Sequence, residues 1–574
     1  MSRLTGALAS SRRRFSATTS SEKDRLARNK WDALVIGGGH NGLTAAAYLA
    51  LSGLSVAVLE RRHLVGGAAV TEEIVPGFKF SRCSYLQSLL RPSVIRDLEL
   101  ERHGLKLYRR EPSSFTPCLD GKSLLLGPDK DLNQSEIAKF SKKDAIAYPR
   151  YEMQLEKFCK FMDFIIDSPP PEVVHDLPSL TDKMKDKVRK SVFWSHCLQH
   201  VYALGHKDMV DFMDLVLSPA SKVLNNWFEG EVLKATLATD SVIGTMGTAH
   251  TPGSGYVLLH HVMGETNGER GIWSYVEGGM GSVSSAISKA ALEAGVHIMT
   301  NEEVKQLLVD ENTKEAKGVV LADGTEVHSS VVLSNATAHR TFVELVPHNT
   351  LSDDFLLSIR NLDYSSATTK INMAVDRLPN FKCCRTNSAE GGPEHVGTIH
   401  IGSESMEEID VAYKDAVSGI PSRRPIIEMT IPSILDKTIS PPGQHVVNLF
   451  VQYTPYKLSE GSWRDPVVRE SFARRCFSLI DEYAPGFNAS IIGYDMLTPL
   501  DLEKEFGLTG GNIFHGAMGL DSLFLMRPTK GWSGYRTPLK GLYLCGSGAH
   551  PGGGVMGAPG RNAASVVIAD LNRS

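Results

Sequence analysis

The apolar run Ala33-Leu34-Val35-Ile36 breaks at Gly37-Gly38-Gly39-His40-Asn41-Gly42, and an Ala- and Leu-rich stretch follows over 43–51. A continuous apolar run of this length predicts a buried strand, and the following stretch predicts a helix that ends at Gly53. A second buried strand is expected over 55–59, closing on Glu60. The same alternation returns later, with an amphipathic helix at 282–294 capped by Gly295 and a strand at 296–300. A hairpin is expected with arms 317–321 and 325–327 turning at Ala322-Asp323-Gly324, and then a buried strand at 331–334. Near the C-terminus, Leu542-Tyr543-Leu544-Cys545 runs into Gly546-Ser547-Gly548 and a helix over 561–571. Strands alternating with helices predict an α/β fold around a parallel sheet.

Gly37-x-Gly39-x-x-Gly42 between a strand and a helix is a pyrophosphate cradle. Gly37 permits the turn, Gly39 lets the backbone approach the phosphates, and Gly42 lets helix and strand pack closely. Glu60 stands 18 residues past Gly42, where a carboxylate accepts from ribose hydroxyls and repels a 2′-phosphate. Arg61 and Arg62 beside it are read either as part of the cofactor contact or as a solvated pair. Asn41, inside the fingerprint, joins the expected cofactor set.

Glu60-x5-Gly66-Gly67-Ala68-Ala69-Val70-Thr71 resembles the extended FAD-binding signature of the glutathione-reductase-like flavoproteins. That resemblance implies a discontinuous FAD-binding Rossmann domain, a second glycine pair at Gly66 and Gly67 along the cofactor, and main-chain contact of Val304 with the adenine. The glycine turn at Gly546, Gly548 and Gly553 is expected at phosphate, ribityl or ring edge.

Leu508-Thr509-Gly510-Gly511-Asn512-Ile513-Phe514-His515-Gly516, Leu542-Tyr543-Leu544-Cys545-Gly546 and His550-Pro551-Gly552-Gly553-Gly554 resemble the phytoene desaturase and carotenoid isomerase branch of FAD-dependent oxidoreductases. The resemblance runs from about residue 31 to 571. It implies a flavin-dependent dehydrogenase, oxidase or desaturase acting on a lipophilic small molecule. The reacting carbon would lie over the flavin N5 while the protein supplies orientation and a dry pocket. A redox-neutral flavin-dependent isomerase, or a flavin fold kept as a regulatory or scaffolding partner of mitochondrial machinery, stand as alternatives. His515 and His550 are the catalytic candidates, read either as proton relays or as hydrogen-bonded structural histidines. His250, His260 and His261 are expected in core or pocket wall. Arg536 is read as a ligand of the pyrophosphate or flavin edge, or as the partner of a carboxylate elsewhere.

Other chemistries lack their residues. The eight cysteines, at 83, 118, 159, 197, 383, 384, 476 and 545, contain no C-x-x-C, so a disulfide reductase is excluded, and a second nucleotide fingerprint for NAD(P)H is missing. There is no G-x-S-x-G elbow and no H-E-x-x-H, and no metal site is expected.

At 574 residues, 42% hydrophobic and 22% charged, the chain is long enough for two or more cores. No apolar run approaches the ~20 residues that span a bilayer, although peripheral contact with the inner mitochondrial membrane or its proteins remains open. Residues 1–21 hold four Arg, nine Ser or Thr and no acid, the composition of a mitochondrial transit peptide, so a matrix location is expected. Residues 1–30 carry a net +6 against −4 for the chain, leaving −10 beyond them and no nucleic-acid footprint. The expected organisation places 31–110, 270–345 and 495–574 in the FAD domain. The insertions 111–269 and 346–494 then form a mixed α+β substrate and lid domain. The first insertion reads as polar and helix-rich over 135–222 with a break at Pro169-Pro170-Pro171, and the second as antiparallel strands such as 369–375 and 446–453.

Overall fold

The computed structural model describes residues 29–171, 180–266, 268–384 and 390–572, with Lys23, Leu26 and Ala27 ahead of them. The expected targeting segment, 1–30, lies almost wholly outside the described residues. Ala33–Ile36 is buried at every position and pairs in parallel with Val56–Glu60 on one side and Val332–Ser334 on the other. His297–Thr300 and Leu542–Leu544 complete a five-stranded parallel sheet in the order His297–Thr300, Val56–Glu60, Ala33–Ile36, Val332–Ser334, Leu542–Leu544.

Parallel strands buried on both faces need helices to cover them, which explains the unbroken apolar runs. His40–Leu51 packs between Gly281–Glu293 and Ala558–Leu571. A Cβ on Gly560 would stand 2.1 Å from the Asn41 carbonyl oxygen, so the last helix approaches the fingerprint helix backbone to backbone. The expected hairpin is the antiparallel pair Glu315–Leu321 and Glu326–His328, with Val304–Asp310 as a third strand.

A second sheet of seven strands has the order Ile491–Leu497, Thr368–Val375, His445–Gln452, Ile426–Thr430, Thr398–Ile401, Ser114–Pro117, Ser123–Leu126. Its pairings are antiparallel except that between Thr398–Ile401 and Ser114–Pro117. Helix Pro466–Tyr483 covers one face through Phe472, Cys476, Phe477 and Ile480. Helices Lys142–Ile166, His206–Leu217, Ala220–Trp227 and Ser254–Val262 form a separate apolar cluster with Tyr148, Phe158, Phe212 and Leu258.

Three details depart from the sequence reading. The first insertion also supplies two strands, Ser114–Pro117 and Ser123–Leu126, to the seven-stranded sheet. The hairpin Thr71–Val75/Phe78–Ser81, assigned with the cofactor segments, packs Phe78 and Phe80 against Ala374, Ile439 and Val446 of the substrate side. The boundary at 494/495 falls inside strand Ile491–Leu497. Periodicity reports whether a segment is a strand and how deeply it is buried, whereas partner choice is a tertiary outcome.

Candidate functional site

The fingerprint glycines meet at a steric minimum. Gly37 has φ +91°, and a Cβ on Gly42 would lie 2.2 Å from the Gly37 carbonyl oxygen. Gly66 (φ +130°) donates its N–H to the Gly38 carbonyl at 2.8 Å, and a Cβ on Gly67 would approach the Gly39 Cα to 3.2 Å. The two glycine pairs therefore lie against each other, leaving main-chain amides facing an open cavity.

That cavity, about 970 Å³, is lined by Gly37, Gly39, Asn41, Glu60, Arg61, Gly67, Val304 and His515 from the sequence-predicted set. Gly42, Gly66, Gly546, Gly548, Gly553 and His550 are not on its wall. Gly546 and Gly553 serve close packing behind it: Cβ atoms there would meet the Asn335 carbonyl oxygen at 2.7 Å and the Phe514 ring at 2.3 Å. Gly548 has ordinary room, 3.5 Å from the nearest atom. Ser547 and Gly554, their neighbours, are the residues of that turn which reach the cavity.

Glu60 accepts from the Gly38 and Arg62 amides at 2.8 Å each, and burial raises its carboxyl above the ordinary range. Arg61 donates to the carbonyls of Lys504 and Glu505 at 2.9 Å, while Arg62 pairs with Glu72 at 2.8 Å and lies 4.9 Å from the Phe506 ring. Neither arginine is a solvated surface charge. Two buried polar atoms here lack partners among the described residues: Asn41 Oδ1, whose amide nitrogen donates to Ser547 Oγ at 3.1 Å, and Arg62 Nη1. Main-chain amides, a ribose-seeking carboxylate and an orphaned amide oxygen on one wall fit a flavin dinucleotide.

Sequence reasoning missed two organisers of this wall. Asn335 reaches under the cradle, its Nδ2 donating to the Gly37 carbonyl at 3.3 Å. Its place at the carboxyl end of a strand beside the fingerprint strand is the signal that marks it. Arg527 is buried and donates to the carbonyls of Phe514, Gly516, Ala517, Ser522 and Ser547, knotting two loops together. Nothing in its sequence surroundings distinguishes it from a surface arginine.

Those loops place His515 on the cavity wall in the left-handed region, φ +59°, with Nδ1 buried and unpartnered. Burial pulls its imidazole down to about 3, so it is neutral at physiological pH. His550 does not reach the cavity: its Nε2 faces the Ile165 carbonyl at 2.8 Å and its ring meets Phe524 edge-on at 5.6 Å. It stands as a link between the glycine turn and helix Lys142–Ile166. His260 and His261 are pocket wall, and His250 is exposed beside Asp410. Arg536 resolves to a carboxylate partner, with both hydrogen bonds to Asp570 at 2.6 Å.

Beyond the cradle the wall becomes a mixture of aromatic and ionisable groups that sequence patterning does not mark. Lys370 sits mid-strand, its Nζ bonded to Asn372 and Asn448 and 5.3 Å from the Tyr85 ring; burial lowers it to about 7. Tyr85 donates to Glu428 at 2.9 Å, and burial reinforced by Asp240 raises Glu428 to about 7. Asp240 itself is raised to about 7 by burial, partly offset by the charge of Arg110. Arg110, His400, Tyr148 and Tyr151 complete this end.

Residues 35–93 match the model of the NAD(P)-binding Rossmann-like domain, and residues 199–407 that of flavin containing amine oxidoreductase. The chain is 51% identical over 94% of both chains to rat pyridine nucleotide-disulfide oxidoreductase domain-containing protein 2. It is 27% identical to a limonene dehydrogenase component of Castellaniella defragrans over 94% of this chain and 95% of that one. Identity to phytoene desaturase of Fusarium fujikuroi is 24% over 92% and 87%. A putrescine oxidase structure superposes with a TM-score of 0.57 at 15% identity, covering 95% and 99%, and shares the fold. A dinucleotide cradle continuous with a large chamber and full-length likeness to the rat protein place this chain in the family of FAD-dependent oxidoreductases to which that relative belongs.

Proposed function

We propose that the chain dehydrogenates, oxidises or desaturates a lipophilic small molecule in the mitochondrial matrix. The observation that carries this reading is the continuity of one cavity from Gly39 and Glu60 to the chamber walled by Tyr148, Tyr151, Ile243, Phe450 and Phe514. Two full-length relatives are named for limonene and phytoene, both apolar hydrocarbons. The basic, hydroxylated and acid-free first 21 residues support the matrix assignment.

When bound, FAD supplies the two-electron acceptor. The protein holds it through the cradle amides, Asn41 and Glu60. The aromatic wall excludes water and orients the substrate, and Lys370, Glu428 and Asp240, all brought near neutrality, hold or move protons at the chamber's polar end. Disulfide exchange is disfavoured: all eight cysteines are free thiols, and Cys83, on the cavity wall, is pushed up to about 12 by burial.

The test is anaerobic addition of mitochondrial lipid extracts to the purified yellow protein. Bleaching of the flavin band with loss of a lipid component supports the reading. Conversion without bleaching points to redox-neutral isomerisation, and neither change leaves only a scaffolding role.

A further inference from the structure

Helix Leu180–Leu204 has two apolar faces where a surface helix needs one. Phe193 is half-buried and, with the exposed His196 and His200 at helical spacing, packs on helix Lys142–Ile166: Phe193 and His200 lie 5.4 and 4.7 Å from the Phe164 ring, and Phe193 also meets Phe524 at 6.1 Å. On the opposite side Val188, Trp194, Leu198 and Tyr202 are exposed, Leu198 at 66% and Tyr202 at 91%. The next helix, His206–Leu217, continues the pattern. It buries Phe212 and Leu215 while exposing Val210, Met213 and Leu217 at i, i+3 and i+7.

An exposed apolar patch of this kind marks an interaction surface, and its charge indicates the occupant. The 25 residues of Leu180–Leu204 carry five Lys or Arg against two Asp, in a chain whose net charge is −4. On the neighbouring helix each acid has a partner, Asp208 in Lys157, Asp211 in Gln154 and Asp214 in Lys222. A basic helix showing Trp, Tyr and Leu outward has the composition of one that lies in a membrane interface.

We propose that this two-helix face docks on an anionic lipid bilayer. Trp194, Leu198 and Tyr202 enter the headgroup boundary and Lys187, exposed on the same helix, meets the lipid phosphates. The other side of Leu180–Leu204 packs on helix Lys142–Ile166, whose exposed Met153 also lines the cavity, so docking sets the chamber's mouth close to the lipid phase. The inference stands apart from the substrate assignment, since docking requires no turnover.

The FAD-loaded full chain is sedimented with phosphatidylcholine vesicles, with and without a minor fraction of phosphatidylserine. We expect binding to the anionic vesicles that weakens with salt, a partition coefficient at least ~10-fold lower for Trp194→Glu/Leu198→Glu, and a ~5-fold loss on anionic vesicles for Lys187→Ala. Flavin content and melting temperature report folding, and Tyr202→Glu replaces the double variant if either changes. Wild-type protein that stays in the supernatant, or variants that bind as tightly as wild type, overturn the proposal. So does a dimer in solution that the same variants dissociate without any vesicle binding, because the occupant is then a second copy.

Discussion

The Glu60 carboxylate accepts the Gly38 N–H at 2.8 Å, joining the end of the second strand to the turn that ends the first. With its other oxygen held by the Arg62 amide at 2.8 Å, the side chain is a strut of the cradle as well as a group facing the cavity. Glu60→Gln keeps the volume but turns one of these acceptors into a donor facing an N–H. FAD affinity is expected to fall by ~1–3 kcal/mol, roughly 5- to 150-fold. Fluorescence of released flavin on dilution measures this, and unchanged retention would show that the strut is dispensable.

Gly42→Ala places a methyl group 2.2 Å from the Gly37 carbonyl oxygen, a contact that only backbone movement relieves. A loss above ~4 kcal/mol is expected, with colourless or insoluble protein. Gly548→Ala, with 3.5 Å of room, is the matched control and retains its flavin.

Arg527→Lys retains the charge and discards the planar fork that reaches five carbonyls. Carbonyls left buried without a donor cost ~1–3 kcal/mol each, so a melting temperature lower by many degrees is expected, together with weaker flavin binding as the His515 and Ser547 loops separate. A variant that melts with wild type would remove Arg527 as their organiser.

Asp240 gives a pH signature. Its folded-state value near 7 lies above the ordinary carboxylate range, so the folded protein holds this proton more tightly than the unfolded chain. The stability it contributes is complete below the ordinary range and is lost as pH rises through about 7. Asp240→Asn should match wild type in acid and pull ahead as pH climbs towards neutrality. Melting curves across that window check it, and parallel profiles would count against a desolvated carboxyl at this position.

Glu60 and Gly42 are legible in the sequence because their roles are local. A glycine that must clear a carbonyl five residues back, and an acid at the tip of the next strand, are fixed by spacing within one βαβ unit. Arg527, Asn335, Lys370 and Asp240 are not legible, because their partners are brought together by sheet pairing and loop packing. His550 shows the converse: a histidine inside a glycine motif looks chemical in sequence, yet the fold turns its ring to the Ile165 carbonyl.

The amino-acid order alone determined the parallel sheet and the glycine cradle, since apolar runs, turn glycines and their spacing act through short-range sterics, and the flavin was legible through the resemblance of Glu60 to Thr71 to a flavoprotein signature. The tertiary structure alone decided which strands share a sheet, and that Lys370, Glu428 and Asp240 line the chamber beyond the cradle. It also decided which face of Leu180–Leu204 is left outward. Burial, and with it the proton affinity of each of those groups, is a property of everything packed around a residue and has no period along the chain.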